Sequence, residues 1–164
     1  MVLEKYFSDN KVVTTKLTQF VIFLSISLVA PLIHNQLITG SMVNAVLFIS
    51  ASLLGVSGAA LICLVPSIFA LLSGTLAATL APMIPFIMFA NLILVFSFNY
   101  LRKQNYFLGV ATASVLKFLF LYLVASVLLS HLPAIALVFG WMQLVTVLIG
   151  GALAYLFLRN NKNF

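Results

Sequence analysis

The chain has 164 residues, of which 64% are apolar and only 6% charged, against about 25% charged in an ordinary soluble domain. With a mean hydropathy of +1.25, a soluble fold of this size would have too much surface for its core to hide so much apolar side chain. Disordered, nucleic-acid-binding and disulfide-stapled secreted proteins are excluded together, and the formal charge of +6, from eight basic residues against two acids, is the excess that marks cytoplasmic loops in membrane proteins.

A membrane-crossing helix takes about 20 apolar residues. Polar and Gly/Pro breaks divide the chain into six such stretches, at 17–37, 39–54, 57–72, 82–101, 106–130 and 133–158. The second is short, and Gly40, Ser41 and Asn44 near its start predict a helix tilted against its neighbours or broken near Asn44. A lipid-exposed loop could not take its place, because its backbone groups would go unpaired. The expected architecture is an all-α integral membrane protein, with a cytoplasmic tail over 1–16, a six-helix transmembrane bundle over 17–158 and a second cytoplasmic tail over 159–164.

Orientation follows from the basic residues. Lys5, Lys11 and Lys16 precede the first span, Arg102 and Lys103 follow the fourth, and Arg159 and Lys162 follow the sixth. With six crossings these seven share one side, which the positive-inside rule makes cytoplasmic. Five crossings would strand Arg159 outside. The chain is thus expected to be a multi-pass protein of the plasma membrane with both termini in the cytoplasm. The first span is too long for a signal-peptide core and leads straight into further spans, so no cleavage is expected. Cys63, the single cysteine, lies in an apolar run and can form no intramolecular disulfide.

Much chemistry is missing. Both acids, Glu4 and Asp9, sit in the N-terminal tail, which leaves no membrane carboxylate for acid–base catalysis, proton relay or metal binding. Two histidines and one cysteine are too few for a zinc or haem site. No phosphate-binding glycine loop is present. Gly55-Val56-Ser57-Gly58 resembles the nucleophile signature of rhomboid intramembrane proteases. A serine there needs a histidine within hydrogen-bond reach, yet His34 and His131 fall near the outer face and Ser57 near the inner one, about 30 Å away. A tight turn supplied by glycine is the simpler reading. A Ser114–Lys117 dyad has the right helical spacing, but no second catalytic group accompanies it. No enzymatic activity, cofactor or metal is expected.

Lys117 is the most informative residue. It lies twelve residues into the fifth span, about 18 Å from its inner end, too deep for easy snorkelling and without an acid to pair with. It reads either as part of a functional site lined by protein or water, or as a lysine, charged or neutral, capped by carbonyls, serines and asparagines. Asn91 lies near mid-depth in the fourth span, Asn44 in the outer part of the second, and Trp141 and Gln143 in the outer half of the sixth. His34, Asn35 and Gln36 fall where the first span reaches the outer surface; on a continuous helix three consecutive side chains cannot share one cavity, so capping of the helix end competes with ligand binding. Asn91 and Gln143 fit interhelical hydrogen bonds as well as they fit a site, and Trp141 fits an interface anchor. Together these residues place polar groups in the outer half and centre, while the inner half is nearly all apolar. That asymmetry predicts a pocket opening outward. In such a pocket an anionic ligand group, carboxylate or phosphate, would compensate Lys117, Asn91 and Gln143 would bond the neutral part, and Trp141 would pack on a ring.

Small residues form a second pattern, at Gly55, Gly58, Ala59 and Ala60, at Ala111, Ala113 and Ser114, and at Gly150, Gly151 and Ala152. They suit close helix packing or a docking surface for another membrane protein. The run Gly40-Ser41-Met42-Val43-Asn44-Ala45, followed by Leu53-Leu54-Gly55-Val56-Ser57-Gly58-Ala59, Pro66-Ser67 and Gly74, resembles the second and third helices of the substrate-binding S components of energy-coupling factor (ECF) transporters, and length, span count and topology agree over the whole chain. Of that family's small-residue pattern in the first helix, Ser25, Ser27 and Ala30 are present. The resemblance implies a chain that binds a vitamin, cofactor precursor or metal near the outer face, and the missing carboxylates and widely separated histidines disfavour the metal. A membrane coupling subunit and two ABC ATPases would then drive release of the ligand inward. The expected partners are therefore that module, a small-molecule substrate and the lipid bilayer, with no nucleic acid. MreD-type cell-shape scaffolds are similar in size and span number, and offer the alternative of a protein that organises partners and transports no solute. A stand-alone secondary transporter would lack the usual carboxylate for ion coupling.

Overall fold

The computed structural model describes residues 2–74, 78–128 and 140–160. Among the described residues the regular structure is entirely helical. It forms α1 (Val2–Val29), α2 (Gln36–Leu53), α3 (Gly55–Leu72), α4 (Ile84–Leu101), α5 (Tyr106–Leu128) and α6 (Trp141–Arg159). Each is long and apolar enough to cross a membrane, giving the six-helix, multi-pass bundle expected. His131, the end of the expected fifth span, the start of the sixth and most of the C-terminal tail, Lys162 included, lie outside the described residues.

The first span differs from expectation at both ends. α1 runs back to Val2 through the segment read as a tail, although its apolar, membrane-length part begins at Val12. At the other end it stops at Val29 and passes through a 3-10 turn, Ala30–Ile33, containing Pro31. His34 then takes a left-handed φ of 56° and Asn35 is extended, with φ −122° and ψ 110°. Proline brings no N–H to continue the ladder. The Asn35 side chain then starts α2 by accepting from Leu37 N at 3.1 Å and Ile38 N at 3.2 Å, an N-cap that satisfies two otherwise orphaned donors. The second span therefore starts at Gln36 and is not broken at Asn44.

α2 and α3 are joined through Leu54 alone, and Gly55 makes the reversal with φ +80°, a conformation that costs glycine little. α2 is the central helix: every residue from 44 to 51 is buried, and it packs on α1, α3, α4 and α6. The approach to α6 is closest. A Cβ on Gly150 would lie 2.8 Å from both Ala45 N and Asn44 Cβ, so only glycine lets these backbones meet. Gly150 and Gly151 thus serve internal packing, whereas Ala111 and Ala152 are exposed. Likewise Phe23 and Ser27 on α1 and Ala30 just after it are buried at helical spacing, so this stripe faces the bundle.

The single-residue link at Leu54 and the short 102–105 turn lie at the same end of the bundle as the start of α1 and the end of α6. Near that end the core is aromatic: Phe48 meets Phe98 edge-on at 4.7 Å, and Phe98 meets Tyr106 edge-on at 5.4 Å. Tyr155 packs beside Tyr106 at 5.3 Å. The Tyr106 hydroxyl donates to Gly151 O at 2.8 Å, so the buried hydroxyl of this layer is satisfied.

Candidate functional site

Lys117 reaches the interior because it continues the buried face of α5. Tyr106, Gly109, Val110, Ala113, Ser114, Lys117, Leu121 and Ala125 recur at steps of one, three or four residues, the stripe that one side of a helix presents. Lys117 is only 3% exposed. Its Nζ donates to Asn44 Oδ1 and to Asn91 Oδ1, each at 2.7 Å. Both asparagines are buried too, on α2 and α4. A lysine ammonium offers three donors and no acceptor, so each amide must turn its oxygen inward and its NH2 group away. Asn44 Nδ2 then donates to Thr146 Oγ1 at 3.4 Å, and Thr146 Oγ1 donates to the Gln143 carbonyl at 3.0 Å. One network therefore ties four helices together around a single basic group.

No carboxylate takes part. The chain's two acids are Glu4 and Asp9, and both amide oxygens are neutral. As neutral acceptors they would not cancel a charge on the amine, and a charge there is costly within a bundle of apolar helices.

Lys117, Asn44 and Asn91 line the floor of a cavity of about 280 Å³. The cavity lies at the end of the bundle opposite the aromatic layer. Gln143 lines it from α6, and Ser67 and Ala70 from the late part of α3. His34, Asn35, Gln36 and Thr39 form its rim, while Pro31, Val43, Pro66 and Ile87 supply apolar wall. Exposure falls from rim to floor: residues 34–36 are exposed, and Gln143, Asn91, Lys117 and Asn44 are buried. The Gln143 side-chain amide makes no hydrogen bond among the described residues, although Gln143 is only 8% exposed.

Six of the seven residues singled out in the sequence thus face one cavity: Lys117, Asn91, Gln143, Asn44, His34 and Asn35. The reasoning that kept 34–36 from sharing a cavity assumed a continuous helix. The left-handed His34 and extended Asn35 break it there and let all three residues line the rim. Asn35 is already engaged through its oxygen as the α2 cap, and His34 Nδ1 lies 2.6 Å from Leu32 O, a pairing in which the ring nitrogen must donate.

Trp141 is the exception. It is 68% exposed and lies against Phe118, with ring centroids 6.0 Å apart; it does not line the cavity. Two residues before Gln143 on one helix is about 200° round the axis, so a helix that turns Gln143 inward turns Trp141 outward. Conversely, Thr146, Thr39 and Ser67 escaped the sequence reading. Thr146 lies one turn from Gln143, and that i, i+3 spacing was the available signal.

Among the described residues, neither serine considered as a nucleophile has the partner it would need; His131 lies outside them. Ser57 is exposed at the Leu54 end of α3, whereas His34 lies beyond the far end of α2, whose 18 residues span about 27 Å. The Ser114 hydroxyl donates to Val110 O at 2.7 Å, within its own helix. No group of three or more His, Cys, Asp or Glu that could hold a metal occurs among the described residues.

Compared with known proteins, the chain matches no protein-family model, no curated protein and no solved structure.

Proposed function

We propose that the chain is the membrane-embedded substrate-binding subunit of an ECF-type ABC importer. It captures a small solute, of the size of a vitamin or cofactor precursor, from outside the plasma membrane for uptake driven by partner subunits. The observation that carries this reading is the cavity, whose buried polar floor is built from α2, α4, α5 and α6 and opens to an exposed rim. Buried polar groups are expensive in a membrane and mark solute or ion pathways by default, and a concave, mostly apolar pocket with a few convergent polar groups is the usual form of a small-molecule site.

Sidedness supports capture from outside. Lys5, Lys11, Lys16, Arg102, Lys103 and Arg159 sit at the end away from the cavity, and the positive-inside rule assigns that end, with both termini, to the cytoplasm. The chain carries no membrane carboxylate with which to couple an ion gradient and no phosphate-binding loop with which to hydrolyse a nucleotide. It is suited to recognition, so energy has to come from a coupling subunit and its two ATPases.

Reconstitution tests this. Liposomes containing the chain alone should retain a solute bound to the protein but not concentrate it under a proton or sodium gradient. Uphill accumulation by the single chain would refute the proposal.

A further inference from the structure

We infer that the cavity selects a solute bearing one carboxylate, which ion-pairs with Lys117. This rests on the solute-binding reading above and deepens it by naming the ligand class.

The charge count comes first. Lys117 is the single Lys or Arg among the lining residues, and its two hydrogen-bond partners are neutral amide oxygens at 2.7 Å. Two of its three donors are thereby used and its direction is fixed. The third donor has no partner among the described residues, and Lys117 borders open cavity. A floor with one unneutralised positive charge, walled by Pro31, Val43, Pro66 and Ile87, is complementary to one negative charge on an otherwise apolar molecule. A phosphate monoester carries about −1.5 to −2, and with no second Lys or Arg in the lining it would leave negative charge unpaired in a low-dielectric site. The sequence left carboxylate and phosphate open; the single Lys or Arg in the lining favours carboxylate.

Hydrogen bonding agrees. A carboxylate accepts at about four lone-pair positions. Because Asn91 presents its oxygen to Lys117, its NH2 group is turned away from the ammonium, and that group has no hydrogen-bond partner among the described residues. The unpaired Gln143 amide supplies a further donor. Asn44 has a different part: its NH2 is held by Thr146, which keeps its oxygen on Lys117 and so positions the ammonium. Volume limits size. At about 280 Å³, the cavity admits a compact ring or short chain.

The test is equilibrium binding to the purified full-length protein in detergent, with benzoate, cyclohexanecarboxylate and hexanoate, their primary amides, and phenyl phosphate as probes. At least one carboxylate should bind about tenfold or more tightly than its amide, and more tightly than phenyl phosphate. Lys117→Met should weaken it by about thirtyfold or more, the scale for removing one partner of a buried charge pair. Asn91→Asp is the second variant. It places a carboxylate 2.7 Å from Nζ, in the position of the present amide oxygen, and should keep the unfolding temperature while abolishing carboxylate binding, which decides the matter if Lys117→Met fails to fold. Amides binding as tightly as acids, phenyl phosphate binding best, or carboxylate affinity unchanged in either folded variant would overturn the inference and leave solute binding standing. No binding by any probe, charged or neutral, would overturn the solute-binding reading and this inference together.

Discussion

The two ends of the bundle use the same helices for opposite purposes. Toward Leu54, Phe48, Phe98, Tyr106 and Tyr155 interlock at ring distances of 4.7–5.4 Å. Toward the α1–α2 break, the same α2, α4, α5 and α6 present Asn44, Asn91, Lys117 and Gln143 around a cavity of about 280 Å³, with Thr146 behind Asn44. A chain that is 64% apolar has ample side chain with which to close the second end as it closes the first. Polar groups buried in a membrane destabilise it unless they are paired. Their concentration at one end, around a lysine with no carboxylate partner, is what the solute-binding proposal rests on, whereas the aromatic end packs the helices against one another.

Substitutions should separate the two ends. Phe98→Ala removes the ring that touches both Phe48 and Tyr106; a loss of about 3–5 kcal/mol of stability is expected, read by denaturant titration, with solute capture retained by the fraction that stays folded. Asn35→Ala deletes the α2 cap and should cost about 1 kcal/mol in the same titration; because α2 carries Asn44, rim and floor both feel the change. Thr146→Val breaks the relay that holds the Asn44 amide. Interhelical hydrogen bonds in membranes average about 0.6 kcal/mol, so the stability loss should be of that order, while solute affinity falls because Asn44 is free to turn. Lys117→Met should move stability little, by less than about 1 kcal/mol, since it removes a buried amine along with its hydrogen bonds. A large destabilisation by Lys117→Met would make the polar end a structural network like the aromatic one and erase the distinction.

Much of the fold was legible in the sequence, because apolar runs of membrane length and one-sided basic residues need no knowledge of packing. The depth of Lys117 was legible for the same reason: a charge inside an apolar run stands out. What failed was local. The helix break at His34 depends on a left-handed φ that no hydropathy pattern records, and missing it both lengthened the first span and kept 34–36 from being seen as one rim. Trp141 and Gln143 looked alike in depth, but helix rotation sends one outward and the other inward. That Lys117 bonds Asn44 and Asn91 together depends on how three helices turn toward one another, and this is set by contacts such as Gly150 against Ala45. Thr146 stayed hidden because a threonine in an apolar helix is unremarkable until its neighbour is known.

The central claim is that the polar end binds a solute, and native mass spectrometry of the purified protein after incubation with the small-molecule fraction of a cell extract tests it most directly. Ser67→Trp, which puts an indole into the cavity from α3 and leaves every residue of the Lys117 network in place, is the control. The account predicts one small molecule per chain on the wild type and none on a Ser67→Trp variant of unchanged unfolding temperature. A wild-type chain that emerges bare, or a solute carried equally by both, would contradict it.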